Sequence, residues 1–468
     1  MKTIKKYTGY IYSCFAVLLI LSGCAKDRGN YEYKKLNEVK IDSIPNFSLM
    51  KFDSLKISAG IRQSESSQVL SYEWKIYSPK TGKTKVLSKE KNLAVIIAEE
   101  PITDAYELVF KATDPSTGIS EFRSFSVKVV TPFSEGWMVL NRKGNDVDID
   151  MVNPAGKIFS DIFKLSNGKA IPGGASRIYT YYGQQEQKVF VQTASDILQL
   201  KGNDFIQIQN YNSLFYEQPA PARPELYFLK KSGDREFIIN DGSLYVMATS
   251  VPPPTRFGAK IPGDYKAAGF MAVGSKYPGI IYDEKNGGFL VLPANKSELV
   301  GLPVVEGAAF DMNKINKTMV FMQPAPVLDH FYALFKDPRS QSFHFYAINS
   351  NGTNPAVKYQ QMANVPDIGR ASTFAISSTL PLIYYAVGQK IYVYDVEMNA
   401  ARKVFEIPFA SANIMALRML NGALVAGVNE GEEGKLYYFE LAPTGNIASN
   451  TKKISGLGKI IDLVYKPQ

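Results

Sequence analysis

The sequence predicts an all-β chain, an N-terminal β-sandwich followed by a seven-bladed β-propeller, and three observations carry that expectation. Apolar doublets broken by one tight turn recur seven times, as in Pro381 to Glu397, where LIYYAV and KIYVYDV flank Gly388-Gln389. Alternating Ile, Tyr and Val around a two-residue turn is the pattern of an antiparallel hairpin. The other doublets begin at Gly136, Lys188, Arg235, Gly279, His330 and Ala423, a spacing of about 40–50 residues that suits four-stranded blades. Between doublets stands an aliphatic-Pro pair, at Ile171-Pro172, Ile261-Pro262, Leu302-Pro303, Val365-Pro366 and Ile407-Pro408, where proline ends an outer strand because it cannot donate to the ladder. Ahead of the first doublet, six short strand-like runs fill residues 38–132, the density of a small sandwich.

Taken from its start, the chain opens on a processing segment. Lys2, Lys5 and Lys6 precede CFAVLLIL, Cys14 to Leu21, an apolar run too short to span a bilayer and built like a signal-peptide core. Residues 1–23 are therefore expected to be removed. Leu21-Ser22-Gly23-Cys24 resembles the lipobox of bacterial lipoproteins. That resemblance implies cleavage before Cys24, a diacylglyceryl group on its thiol, a further acyl chain such as palmitate on the new amine, and the lipid bilayer as a partner. Several acyl chains, at about 0.8 kcal/mol per buried methylene, make a lasting anchor. Cys14 and Cys24 are the only cysteines, so the mature chain is left without a disulfide. Residues 24–37, polar and charged, read as a tether.

Composition excludes one class of partner. The formal charge is +9, yet no run of five basic residues occurs, and without Lys2, Lys5 and Lys6 the 53 Lys and Arg become 50 against 44 Asp and Glu. Nucleic acid is not expected to bind. The 28 Tyr and 27 Phe favour strands.

Within residues 38–132, Tyr72-Glu73-Trp74-Lys75-Ile76 alternates, which places Tyr72, Trp74 and Ile76 on one face with Trp74 as the core plug. YEWKI and AYELVFKATDPSTG make this segment resemble PKD and Ig-like modules. With the lipobox, the GNYEY tether and the propeller pattern, the chain resembles the PKD-like lipoproteins of Bacteroidota. The resemblance implies an outer-membrane, surface-exposed protein associated with nutrient-uptake systems of the SusC/SusD type. It transfers a location more readily than a reaction.

Residues 133–468 carry the doublets. The first starts at the domain boundary with no strand ahead of it, whereas the chain ends in Lys459 to Tyr465 with no hairpin behind it. The last strand is expected to complete the first blade.

Candidate binding residues fall on two long crossings, Tyr211 to Glu225 and Ser250 to Lys266. Tyr211, Phe215, Tyr216 and Phe257 beside Arg223 and Arg256 would either stack on sugar rings and clamp carboxylates or cap the propeller. Arg177 and Arg370 follow crossings and are placed to point into an axial funnel. Asp146, Asp148 and Asp150 would share one strand face and either bind calcium or form a charged edge. Asp329-His330 is the one Asp-His dipeptide available for base chemistry, and His344, between Phe343 and Phe345, reads as structural. No Ser/His/Asp elbow, HExxH, Walker loop or GxGxxG is present, and no cofactor is expected. The sequence thus reads as a binding or accessory lipoprotein whose propeller face takes a glycan, a peptide or a transporter. The alternatives are a polysaccharide lyase or glycosidase using Asp329 and His330, and a purely structural subunit.

Overall fold

The computed structural model describes residues 36–467 apart from 51–52, 66–68, 103, 183–186, 220–224, 233–234, 249–254 and 295; for 226–232 and 450–451 only the backbone is described. Residues 1–35, on which the expected signal peptide, Cys24 and most of the expected tether fall, lie outside the described residues. None of the described helices is long and apolar enough to cross a membrane. The described residues are all-β, and their contacts separate two compact units, residues 36–46, 55–95 and 107–126 against 47–54, 96–106 and 127–467.

In the first unit, Ser71–Tyr77 lies between Tyr106–Thr113 and Thr84–Ser88, with Ser120–Val130 on the far side of Tyr106–Thr113. Alternation along Ser71–Tyr77 decides what is buried. Trp74 is wholly inaccessible, stacks on Phe110 at 4.2 Å and meets Phe125 edge-on at 6.3 Å. Its indole N–H is satisfied by donating to the Glu90 carbonyl at 2.9 Å, which a buried tryptophan requires.

In the second unit the described residues form seven antiparallel sheets. Each doublet supplies the second and third strands of one sheet, as Leu382–Val387 and Lys390–Asp395 do, joined at Gly388 with φ 57°. The first strands are Arg177–Tyr182, Leu226–Ser232, Ala267–Ala272, Thr318–Pro324, Thr373–Ile376 and Ala412–Leu420, and for the first sheet Lys459–Lys466. These touch in cyclic order, and Ala412–Leu420 returns to Lys459–Lys466, which touches Arg177–Tyr182. Lys459–Lys466 pairs antiparallel with Gly136–Lys143, Trp137 opposite Tyr465 and Val139 opposite Leu463. The third sheet departs from the four-strand expectation, with three strands, Leu226–Ser232, Arg235–Asn240 and Ser243–Ala248.

Where the ends meet, Lys466 is 4% exposed and donates to the Ser134 carbonyl at 2.7 Å, while the Tyr465 hydroxyl donates to Glu135 at 2.5 Å. Burial pulls the Lys466 ammonium down to about 8, only partly opposed by Glu135. The unfolded chain holds that proton to about pH 10.4. Unfolding therefore takes up a proton between these values, and stability rises with pH across that window. Lys466→Met is expected to stabilise the protein at pH 7 by about 2 kcal/mol, because an apolar side chain avoids the desolvation. The gain should shrink towards pH 10. Thermal melts of both proteins from pH 7 to 10 check this, and a difference that does not narrow would count against it.

Candidate functional site

The two crossings expected to carry ligand contacts are joined through their backbones. Phe257 N–H donates to the Leu214 carbonyl at 2.8 Å and Tyr216 N–H to the Phe257 carbonyl at 2.9 Å. The same segment covers the outer edge of the third sheet. Gly258 N–H donates to the Val246 carbonyl at 3.0 Å, Ile261 N–H to the Leu244 carbonyl at 2.9 Å, and Leu244 N–H to the Tyr265 hydroxyl at 3.0 Å. An uncovered edge strand would leave such groups unpaired, so this crossing stands in for a fourth strand.

That role corrects the expectation for three of the aromatics. Tyr211, Phe215 and Phe257 are 4%, 1% and 2% exposed, packed with Phe190, Ile197, Ile238 and Tyr245; the Phe215 and Tyr245 rings lie 4.9 Å apart. They are packing caps, because a loop laid along a sheet edge turns its apolar side chains under itself. Tyr216 differs, at 61% exposed. The Arg256 guanidinium sits 6.0 Å from its ring centre, and Arg256 Nε is buried without a hydrogen-bond partner. Arg223 lies outside the described residues. Tyr216 thus presents an open aromatic face beside a half-buried cation.

Along the cyclic set of first strands the sites are structural. Each first strand stands at the end of its sheet, and at Ile178 and Leu417 a neighbouring side chain supplies the partner that the ladder does not. Asp462 Oδ2 accepts the Ile178 N–H at 3.1 Å, its Oδ1 pairs with Arg418 at 2.9 Å, and Thr373 Oγ1 accepts the Leu417 N–H at 3.2 Å. Arg177 opens its strand, exposed, and donates to the Tyr179 hydroxyl at 3.2 Å; burial pushes that hydroxyl up to about 12 against the opposing pull of Arg177. Arg370 does not sit on a first strand. It lies in the turn Ile368–Arg370, paired at 2.5 Å with Asp367. Arg418 and Asp462 were not among the expected site residues, although a lone charge inside each of the apolar runs ANIMALRML and IIDLVY was the available signal. Between the second and third sheets, Lys188 pairs at 2.8 Å with the wholly buried Glu236, and Tyr181 donates to the same oxygen.

The acidic and histidine candidates are engaged locally. Asp148 accepts the N–H groups of Phe163 and Lys164 at 2.8 and 3.0 Å, holding the start of the helix Ile162–Asn167. Its carboxyl is nonetheless pushed up, burial outweighing the donors. Asp150 accepts the Asp161 N–H at 3.0 Å and pairs with Lys143, and Asp146 pairs with Lys164 at 3.1 Å. With these carboxylates turned to backbone donors and lysines, no group of three His, Cys, Asp or Glu among the described residues is placed to hold a metal. His330 and Asp329 do not pair. Asp329 takes a left-handed φ of 61° and accepts from Asn351 at 2.7 Å, while His330 Nδ1 lies 2.9 Å from the Leu328 carbonyl.

Seven antiparallel sheets whose first strands touch in cyclic order give the second unit a β-propeller fold. The PKD-like family model matches residues 24–174, running past residue 132 into the first sheet. No curated protein matches the chain. Among solved structures it is similar to a quinoprotein alcohol dehydrogenase-like protein of Bacteroides thetaiotaomicron, at 13% identity and TM-score 0.39, covering 90% of this chain and 94% of that one. It is similar to a periplasmic gluconolactonase of Pseudomonas aeruginosa, at 11% and 0.46, covering 71% and 98%. It is also similar to PorZ, a surface component of the type-IX secretion system of Porphyromonas gingivalis, at 14% and 0.41, covering 69% of this chain and 39% of that one.

Proposed function

We propose that this protein is a lipid-anchored binding component of the outer membrane, exposed at the cell surface and working beside a nutrient transporter of the SusC/SusD type. On this reading Cys24 carries the acyl chains, residues 38–132 form a sandwich spacer, and residues 133–468 form a seven-bladed propeller whose crossing side takes a glycan or peptide bearing a carboxylate. The observation that carries the binding role is the Tyr216–Arg256 pair, an open ring beside a cation, mounted on backbone fixed at both crossings. Lipobox, tether and PKD-like match support the location. The lyase or glycosidase alternative loses its acid-base pair, since Asp329 and His330 face different partners.

Two measurements test it. Cys24→Ala should fold normally but take up no palmitate analogue and leave the membrane fraction; label retained by the variant would sink the anchor. Residues 25–468, screened on arrays of neutral and uronate-containing glycans and of peptides, should retain carboxylated ligands. No retention on any array would favour the scaffold reading instead.

A further inference from the structure

Between the turn at residues 337–342 and the crossing at 362–369 lies a cleft of 330 Å³, lined among others by Lys336, Ser342, Phe343, Met362, Val365 and Ile368. It uses none of the residues of the binding reading. Ser342 Oγ, on its wall, lies 2.9 Å from His344 Nε2. His344 Nδ1 lies 3.2 Å from the Tyr359 hydroxyl. Extended backbone sends side chains two apart to the same side, which is why Ser342 meets His344 at the start of Phe343–Asn349. Tyr359 comes from the neighbouring strand Ala356–Gln361, where Tyr346 is its register partner and Gln361 that of His344. The His344 and Tyr359 rings stack at 6.0 Å and 7°, so the imidazole, 6% exposed, has a fixed plane.

Burial, then the charge of Lys317, hold His344 below the usual histidine range, against the smaller pull of Asp337. The ring is therefore neutral at pH 7, one nitrogen donating and the other accepting. With the proton on Nδ1 donated to Tyr359, Nε2 accepts the Ser342 hydroxyl. That is the relation of nucleophile, base and orienting group that activates a serine. Phe343, Met362, Val365 and Ile368 give the cleft apolar contacts for a short acyl chain, and Lys336 and Asp367 place one charge of each sign on its wall.

We propose that Ser342 and His344 form an acyl-transfer site that hydrolyses short-chain carboxylic esters, with Tyr359 as a positioning residue. Ser342 Oγ attacks the ester carbonyl carbon as its proton passes to His344 Nε2. The bond to the alcohol oxygen breaks, and that oxygen takes the proton. Water then attacks the acyl-serine, giving its proton to the same nitrogen, and the carboxylic acid leaves as Ser342 recovers its hydrogen. The sum is ester plus water to acid plus alcohol, with no cofactor required.

The test is covalent. Residues 25–468, treated with a fluorophosphonate probe and analysed by intact mass and peptide mapping, should carry one label on Ser342. Ser342→Ala should abolish both the label and p-nitrophenyl butyrate hydrolysis, and His344→Gln should slow labelling by about 100-fold. Tyr359→Phe should lower kcat with KM unchanged, which a merely structural change would not do selectively. His344 is buried, so the mapping of the label on the wild-type protein decides the matter independently of how that variant folds. No label on Ser342, or equal labelling and hydrolysis in Ser342→Ala, would overturn the assignment.

Discussion

Removing Lys459–Gln468 is expected to make the protein aggregate. The segment is the first strand of the first sheet, so its loss leaves Gly136–Lys143 with an open ladder edge, a template for pairing with other chains. It also bares an apolar seam. Ile460 and Leu463 are 1% and 0% exposed and pack with Trp137, Val139, Val425 and Leu436, and burying such side chains contributes about 1.5–3 kcal/mol each. Two polar ties go with them. Asn429 exchanges hydrogen bonds with the Ile460 backbone at 2.7 and 2.9 Å, and Arg418 loses Asp462. Light scattering and the soluble fraction after expression read the outcome. A truncated protein that stays monomeric with an unchanged melting temperature would show that the strand is dispensable.

Much of the second unit could be read from the sequence because its signal is local. Each apolar doublet contains its own turn, so Leu382–Val387 and Lys390–Asp395 meet in register without help from elsewhere, and a period of such doublets implies repeated sheets. Side-chain destination is not local in that sense. Phe215 and Phe257 stand in Pro-rich, polar surroundings, and nothing nearby announces that the third sheet lacks a fourth strand for the crossing to replace. Asp329 and His330 are adjacent in sequence, yet the left-handed φ of Asp329 sends its carboxylate to Asn351. The i, i+2 spacing of Ser342 and His344 was visible, but their hydrogen bond depends on Tyr359 from another strand. Polar sites across strands are set by register, and register comes from the whole sheet.

The crossing residues offer the second large effect, because neighbours in sequence are assigned opposite roles. Phe257→Ala and Phe215→Ala should each destabilise the protein by about 3–5 kcal/mol, the range for truncating a buried phenylalanine whose site cannot collapse. The upper part of that range is expected for Phe257, whose backbone spans both the Leu214 and Tyr216 contacts and whose loop covers the sheet edge at Leu244 and Val246. Melting temperature should fall and the third sheet should become protease-sensitive. Tyr216→Ala and Arg256→Ala remove an exposed ring and a half-buried cation, so stability should move by less than about 1 kcal/mol. Binding should suffer instead. Losing a stacking surface or a charge-assisted hydrogen bond to a carboxylate costs about 1.5–3 kcal/mol, a tenfold to hundredfold loss of affinity. Thermal melts paired with calorimetry on the ligand retained by the arrays separate the two classes. If Tyr216→Ala and Arg256→Ala lower the melting temperature as far as Phe257→Ala does, with affinity intact, the pair belongs to the cap and the binding face lies elsewhere.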